Sequence, residues 1–229
     1  NNLCHCEPVR TLAWQSPENC GNFWGLPRSL TLPRNDSVLW RCFMARIFKC
    51  KAEELKKRAG EFRCGDKILL TGTVYTSRDA AHIRINALLD EGKDLPYDLK
   101  DAVIYYAGPT PAPEGKAIGS CGPTTSGRMD RFAPRFLDLG LGGMIGKGER
   151  SQEVVDAIVR NKAIYLCAIG GCGALACNCI KSCEVIAFED LGCESVKKLY
   201  VEDFPLVVAN DCYGGDIFSS GRFEYCCED

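Results

Sequence analysis

Residues 143–169 read GMIGKGERSQEVVDAIVRNKAIYLCAI. A short apolar run, Gly143 to Ile145, leads into Gly146-Lys147-Gly148, then a helical pattern from about Ser151 to Asn161, then a second apolar run, Ala163 to Ile169. Strand, helix and strand in so short a span form the unit that lays two parallel strands side by side, with the helix as crossover. The same alternation extends in both directions. Upstream, Lys51 to Gly60 reads as a charged helix closed by glycine and Lys67 to Val74 as a strand. Thr76-Ser77-Arg78-Asp79 resembles a capping box opening a helix to about Leu89, with Ala81, Ile85 and Leu88 on one face. After Pro96 come a buried-strand candidate at Ala102 to Ala107, a Pro/Gly loop at 108–115, a short strand near Ala117 to Ser120, and a helix from the Gly122-Pro123-Thr124-Thr125 segment to about Leu139. Downstream, Gly170-Gly171-Cys172-Gly173 opens a short helix, and Glu184 to Phe188 and Leu206 to Ala209 are further strands. The pattern predicts one α/β domain over 44–229 with a largely parallel sheet and no fixed-period repeat.

The first 43 residues differ. They hold all three tryptophans, four cysteines and His5, and Pro8, Pro17, Pro27 and Pro33 interrupt any regular period. They read as an irregular extension that the working protein does not require; the rival reading is a docking arm with aromatic anchors.

Composition narrows the class. The chain has 229 residues, 46% hydrophobic and 25% charged, with a net charge of −2 and both signs interspersed. That balance argues against a nucleic-acid or anionic-membrane partner. No apolar run approaches the roughly 18 residues of a membrane span, and no basic region followed by an apolar core marks a signal peptide. Sixteen cysteines are too few for a disulfide scaffold of this length. The expectation is a cytoplasmic protein with reduced thiols.

Three predicted strand-to-helix junctions carry a cation: Arg78, Arg128 and Lys147. A helix N-terminus favours anions, so cations placed there ask for a reason. Ligands of open α/β sheets bind beyond the carboxyl ends of the strands, and two arginines and a lysine converging there suit a small ligand with two carboxylates.

These residues carry a resemblance. The segments Thr71 to His82 (TGTVYTSRDAAH), Gly122 to Asp130 (GPTTSGRMD), Gly146-Lys147-Gly148 with Arg150-Ser151, and Val201 to Pro205 (VEDFP) resemble the carboxy-terminal domain of class I fumarases. That domain is also the separate beta subunit of two-chain fumarate and tartrate dehydratases. The likeness runs from about Ala45 to Phe223. Ile83 departs from it where a basic residue is usual, and Cys121, Cys167 and Cys172 where small apolar residues are usual. The resemblance implies a swivelling β/β/α domain that completes an active site on an alpha subunit, in an alpha2beta2 heterotetramer. The partner, not this chain, would ligate a 4Fe-4S cluster. Arg78, Arg128, Lys147 and Thr125 would bind the substrate, and Thr124 would serve proton transfer with an acid from the partner. The reaction would be reversible hydration of fumarate to malate. Tartrate dehydration is the alternative, and the GRMD form and the run from Lys147 to Gln152 look more like the fumarase branch.

Two other readings compete. Gly171-Cys172-Gly173-Ala174-Leu175-Ala176 with Glu189 and Asp190 beyond it has the form of a dinucleotide fingerprint, but too little chain follows for a doubly wound sheet. A tight turn that lets elements pack closely is the favoured reading. Cys167, Cys172, Cys177, Cys179 and Cys183 crowd together without the spacing of zinc or ferredoxin sites, which favours packing thiols over a metal site. His82 lies one turn after Arg78 and reads as a capped or core-edge histidine.

Overall fold

The computed structural model describes residues 46–225. The 1–43 extension therefore lies outside the described residues. In order, the elements are β1 (Ile47–Lys51), β2 (Lys67–Thr76), α1 (Asp79–Asp90), β3 (Val103–Tyr105), α2 (Ala133–Asp138), β4 (Gly143–Gly146), α3 (Gln152–Asn161), β5 (Ile164–Cys167), α4 (Gly173–Cys179), β6 (Ile180–Ala187), β7 (Val196–Asn210) and α5 (Ile217–Tyr225).

The β4–α3–β5 unit forms as its sequence predicts. β4 and β5 pair in parallel from Gly143 with Ile164 to Gly146 with Cys167. Helix α3 buries Val154, Val155, Ala157 and Ile158, the spacing of one helical face, and ends at Lys162 in the left-handed conformation. β1 pairs in parallel with β2, β2 with β3, and β3 with β4.

The sheet is mixed rather than largely parallel. β7 spans 15 residues and runs antiparallel to β2, β5 and β6. Only its last third, Leu206 to Ala209, reads as a strand in the sequence. Val196 to Asp203 is rich in charge, Asp203 takes a positive φ of 46°, and Pro205 removes a donor. Because β2 pairs with β3, β3 with β4, β4 with β5, β5 with β7 and β7 again with β2, the hydrogen bonding closes on itself.

That closure divides the interior. Alternate residues of a strand point to opposite faces. Val103 and Tyr105 of β3 join Ile68, Leu70, Ile145, Leu166 and Leu199 in one core, a strand-lined one. Ile104 and Tyr106 join Ile85, Phe136, Leu137, Val154 and Ile158 in a second core, between strands and helices. A strand buried on both faces has an unbroken apolar sequence, which is why 102–107 is legible as a buried strand.

Three predicted elements take another form. The stretch 51–60 is not an α-helix: β1 runs to Lys51, and two 3-10 turns follow at Ala52–Glu54 and Ala59–Glu61. Ala52 with Leu55, and Ala59 with Phe62, are buried three residues apart, the repeat of a 3-10 turn. Residues 117–120 form no strand. They close a loop in which Thr110 N donates to Ser120 O (3.0 Å) and Gly119 N to Thr110 O (3.2 Å). The helix expected after Gly122-Pro123-Thr124-Thr125, to about Leu139, is a 3-10 turn, Ser126–Met129, followed by α2, because Pro134 belongs in a first helical turn.

Candidate functional site

The parallel strands β2, β3 and β4 end along one edge, and short backbone bonds stitch the following loops across it. Ser77 N donates to Tyr105 O (3.3 Å), Tyr106 N to Ile145 O (2.8 Å), Thr124 N to Tyr106 O (2.7 Å) and Ser126 N to Lys147 O (2.9 Å). A parallel bridge also joins Thr125 to Lys147. Residues separated by up to 69 positions, Arg78 to Lys147, thereby share the carboxyl edge of the sheet.

Only Arg78 stands at an α-helix N-terminus, as the cap of α1. Arg128 lies in the 3-10 turn and Lys147 in the loop ahead of α3. The two arginines meet at Asp79, the first residue of α1. Arg128 Nε donates to Asp79 Oδ1 (3.0 Å) and its Nη2 lies 2.9 Å from Oδ2, a two-pronged grip. Arg78 Nε lies 3.9 Å from Asp79 Oδ2, and its Nη2 lies 3.3 Å from Glu194 Oε1. Asp79 is well placed where the helix dipole favours negative charge. Arg78 is mostly enclosed, its side chain 18% exposed, whereas Arg128 is 51% exposed.

Gly108 is required by this arrangement, since a Cβ there would overlap Arg78 Nη1. Lys147 is exposed, and its stem passes Gly170 at the end of β5. Thr124 is half-buried and Thr125 exposed. Thr125 precedes the 3-10 turn but makes no side-chain capping bond, so capping does not account for it. Nor does the Thr76 to Asp79 segment form a capping box. Thr76 Oγ1 instead donates to Ser195 O (3.3 Å) and accepts from Lys197 N (3.0 Å).

The support beneath the edge was not legible. Arg150, with no exposed side-chain surface, donates from Nε to Asp130 Oδ1 (2.7 Å) and lies over the rings of Tyr106 (5.4 Å) and Tyr165 (4.9 Å). Asp130 Oδ2 also accepts from Ser151 N (2.7 Å), tying the GRMD segment to the start of α3. Tyr165 Oη stands 2.8 Å from both Ser126 Oγ and Gly148 O. Ser126 fits only because residue 146 is glycine, where a Cβ would overlap its Oγ. Gly146→Ala is expected to cost about 1–3 kcal/mol, the range for overpacking. Urea unfolding of the variant measures it, and an unchanged midpoint would show that the loop moves aside freely.

His82 faces inward. It is fully buried against Tyr106, Phe132 and Phe136, with Nδ1 2.9 Å from Ser77 Oγ and from Arg78 O. Burial pushes its pKa down to about 4, the Arg78 carbonyl opposes this, and the charge of Arg150 adds to it. The ring is neutral at pH 7 and packs rather than exchanging protons with a ligand. Because the folded pKa lies below the unfolded value of about 6.5, the unfolded chain binds the extra proton as pH falls between them. Stability is therefore expected to drop by about 3 kcal/mol from pH 6.5 to 4 on this account. Urea titrations of the parent and His82→Gln across that range check it: equal slopes would refute the assignment.

Most of the described thiols are buried or half-buried, with Cys193 exposed. Burial raises the pKa of Cys50, Cys167, Cys179, Cys183 and Cys212, and pushes Cys64 and Cys121 up to about 12. Cys177 Sγ donates to Ile118 O (3.0 Å) and Cys64 Sγ to Ala209 O (3.4 Å). Among the described residues no group of three or more His, Cys, Asp or Glu is placed to hold a metal ion, so they do not fit an iron–sulfur cluster. Gly173 packs on Gly122 and Ser120, and Cys121 N donates to Gly173 O (3.1 Å), a close turn between loops. No helix among the described residues is long and apolar enough to cross a membrane.

Comparison with known proteins bears on what this edge serves. A model of the fumarase C-terminus matches residues 34–221. Fumarate hydratase 2 of Leishmania major is 42% identical over 169 residues, 73% of this chain and 30% of that protein. The aerobic class I fumarate hydratase of Escherichia coli K12 is 41% identical over 177 residues, 76% of this chain and 32% of that protein. The L(+)-tartrate dehydratase subunit beta of the same strain is 33% identical over 177 residues, 75% of this chain and 85% of that protein. The chain thus spans about a third of the length of the fumarate hydratases it matches. With the match running through every strand and through the loops that carry Arg78, Arg128 and Lys147, the chain belongs to the fumarase C-terminus family.

Proposed function

We propose that this chain is the beta subunit of a two-chain fumarate hydratase, interconverting fumarate and malate by addition and removal of water. The observation that carries the reading is the meeting of Arg78 and Arg128 at one carboxylate, Asp79, on the carboxyl edge of the sheet. Guanidinium groups already arranged around a carboxylate suit a dicarboxylate substrate. In this reading Arg78, Arg128, Lys147 and Thr125 bind and orient the substrate carboxylates. Thr124 holds or passes the proton at its Oγ1, together with an acid of the alpha subunit. A threonine hydroxyl is a weak base in water, so this role needs a closed, positively charged site that favours its deprotonated form. The four-iron cluster belongs to the alpha subunit. The domain swivels against that partner, the assembly is an alpha2beta2 heterotetramer, and its place is the cytoplasm, working on a small dicarboxylate without nucleic acid or membrane.

The tartrate alternative has a specific support: the match to the L(+)-tartrate dehydratase subunit beta runs over 85% of that protein. Small hydroxy-acids can be told apart by one or two contacts. Anaerobic co-expression with an alpha chain, with fumarate and tartrate assayed side by side, tests both. Fumarate turnover well above tartrate turnover is expected, and the reverse would select the alternative. An iron–sulfur absorption band from this chain alone would overturn the placing of the cluster.

A further inference from the structure

The cap of α1 comes from far away in sequence. Arg78 occupies the N-cap position without a side-chain capping bond, and Glu194, 114 residues from Ala80, supplies the missing acceptor: Glu194 Oε2 accepts from Ala80 N at 3.1 Å. Its other oxygen, Oε1, lies 3.3 Å from Arg78 Nη2. One carboxylate therefore closes the start of the helix and holds the guanidinium that leaves it. On its remaining side Arg78 lies against Gly108, and its Nε is buried without a hydrogen-bond partner.

Glu194 is itself held. It ends the 3-10 segment Glu189–Glu194, which is entered through Phe188 in the left-handed conformation (φ 55°) and kinked at Gly192 (φ 59°, ψ −113°). Lys197, mostly buried, donates from Nζ to Gly192 O (3.0 Å) and Ser195 Oγ (2.6 Å). Helix α1 grips the other end, since Arg84 Nη1 donates to Asp190 Oδ1 (2.7 Å) and the guanidinium stands over the Phe188 ring at 5.3 Å. The connection between β6 and β7 is thus fastened to α1 at two points, and the point nearer the sheet edge is Arg78.

We infer that Glu194 is a positioning residue for Arg78, fixing the guanidinium in the orientation in which it receives a substrate carboxylate. The inference rests on the proposed function for its substrate, and its geometry stands apart from it. A long cationic side chain loses rotamer freedom on binding, and a carboxylate that holds it beforehand reduces that loss. Arg78 would grip a substrate carboxylate alike in ground and transition states, so loosening it raises KM more than it lowers kcat.

The test uses the enzyme assembled with its alpha chain and, separately, the full 229-residue chain. In the assembled enzyme, Glu194→Ala is expected to raise KM for fumarate or tartrate about tenfold with kcat within about twofold. Glu194→Gln keeps a single acceptor oxygen and puts an amide NH2 in place of the other, so it serves Ala80 N or Arg78 but not both, and its KM is expected to fall between those of the parent and Glu194→Ala. In the chain alone labelled with 15N-arginine, the Arg78 Nε–H signal, assigned through Arg78→Lys, is expected to shift or broaden in Glu194→Ala and to move less in Glu194→Gln. An unchanged or lower KM, a fall in kcat alone, or an unmoved Arg78 signal would overturn the inference. A purely structural role for Glu194 would lower the melting temperature and the active fraction without moving KM. A parent enzyme that hydrates neither substrate would refute the proposed function, while the Arg78 signal still decides whether Glu194 positions it.

Discussion

Replacing Arg128 with alanine is expected to cut kcat/KM of the assembled enzyme by about a thousandfold while leaving assembly intact. Removing one member of a charge-assisted, carboxylate-binding contact costs about 2–5 kcal/mol, and every 1.4 kcal/mol is a factor of ten. The effect on folding is small because Arg128 is half-exposed and lies in a short 3-10 turn. The abandoned partner, Asp79, keeps Arg78 nearby and the favourable end of α1. Size-exclusion chromatography and steady-state kinetics of Arg128→Ala check both halves. Undiminished activity would remove Arg128 from the site, and with it the assignment of this edge.

The second large effect falls on stability. Asp130→Ala strands the guanidinium of Arg150, which has no exposed side-chain surface and whose Nη2 already lacks a hydrogen-bond partner. Breaking a buried ion pair from one side costs about 3–5 kcal/mol, because the remaining charge is left uncompensated in a medium of low polarity. The bond from Ser151 N to Asp130 Oδ2 at the start of α3 is lost as well. The double replacement Asp130→Leu with Arg150→Met removes both charges and is expected to recover most of the loss. Urea unfolding of the three proteins checks this. A single variant within about 1 kcal/mol of the parent would mean that water reaches Arg150, in which case its burial costs little.

Much of the frame is local and therefore legible. The apolar run at 102–107, the helical face of Val154, Val155, Ala157 and Ile158, and the glycine loops between strands each depend on neighbours a few residues apart. Spacing alone encodes them. Lys51 to Gly60 shows the limit of that signal. Its buried residues at 52, 55 and 59, with Phe62 just beyond it, satisfy both a helix and a pair of 3-10 turns, and only the packing of Ala52, Leu55 and Phe62 into the core beside Cys50, Ile68 and Leu70 separates the two. Arg78, Arg128 and Lys147 stand out in the sequence because cations follow glycine, serine or threonine at strand ends. Asp79 is adjacent to Arg78 and passes as an ordinary acid of a first turn, and Glu194 lies in an unremarkable loop.

The amino-acid sequence by itself determined the α/β character, the β4–α3–β5 unit and the identity of the cations at the carboxyl edge, because each depends on residue type and short-range period. The tertiary structure alone decided three things: that β7 closes the sheet through β2 and β5, that Asp79 joins two arginines, and that Glu194 holds one of them. The longest of these pairings, Lys67 with Val207, spans 140 positions. Nothing in a local pattern distinguishes a carboxylate that will meet an arginine from one that will face water; the meeting is set by strand order and register, which the chain acquires only when its two cores are packed.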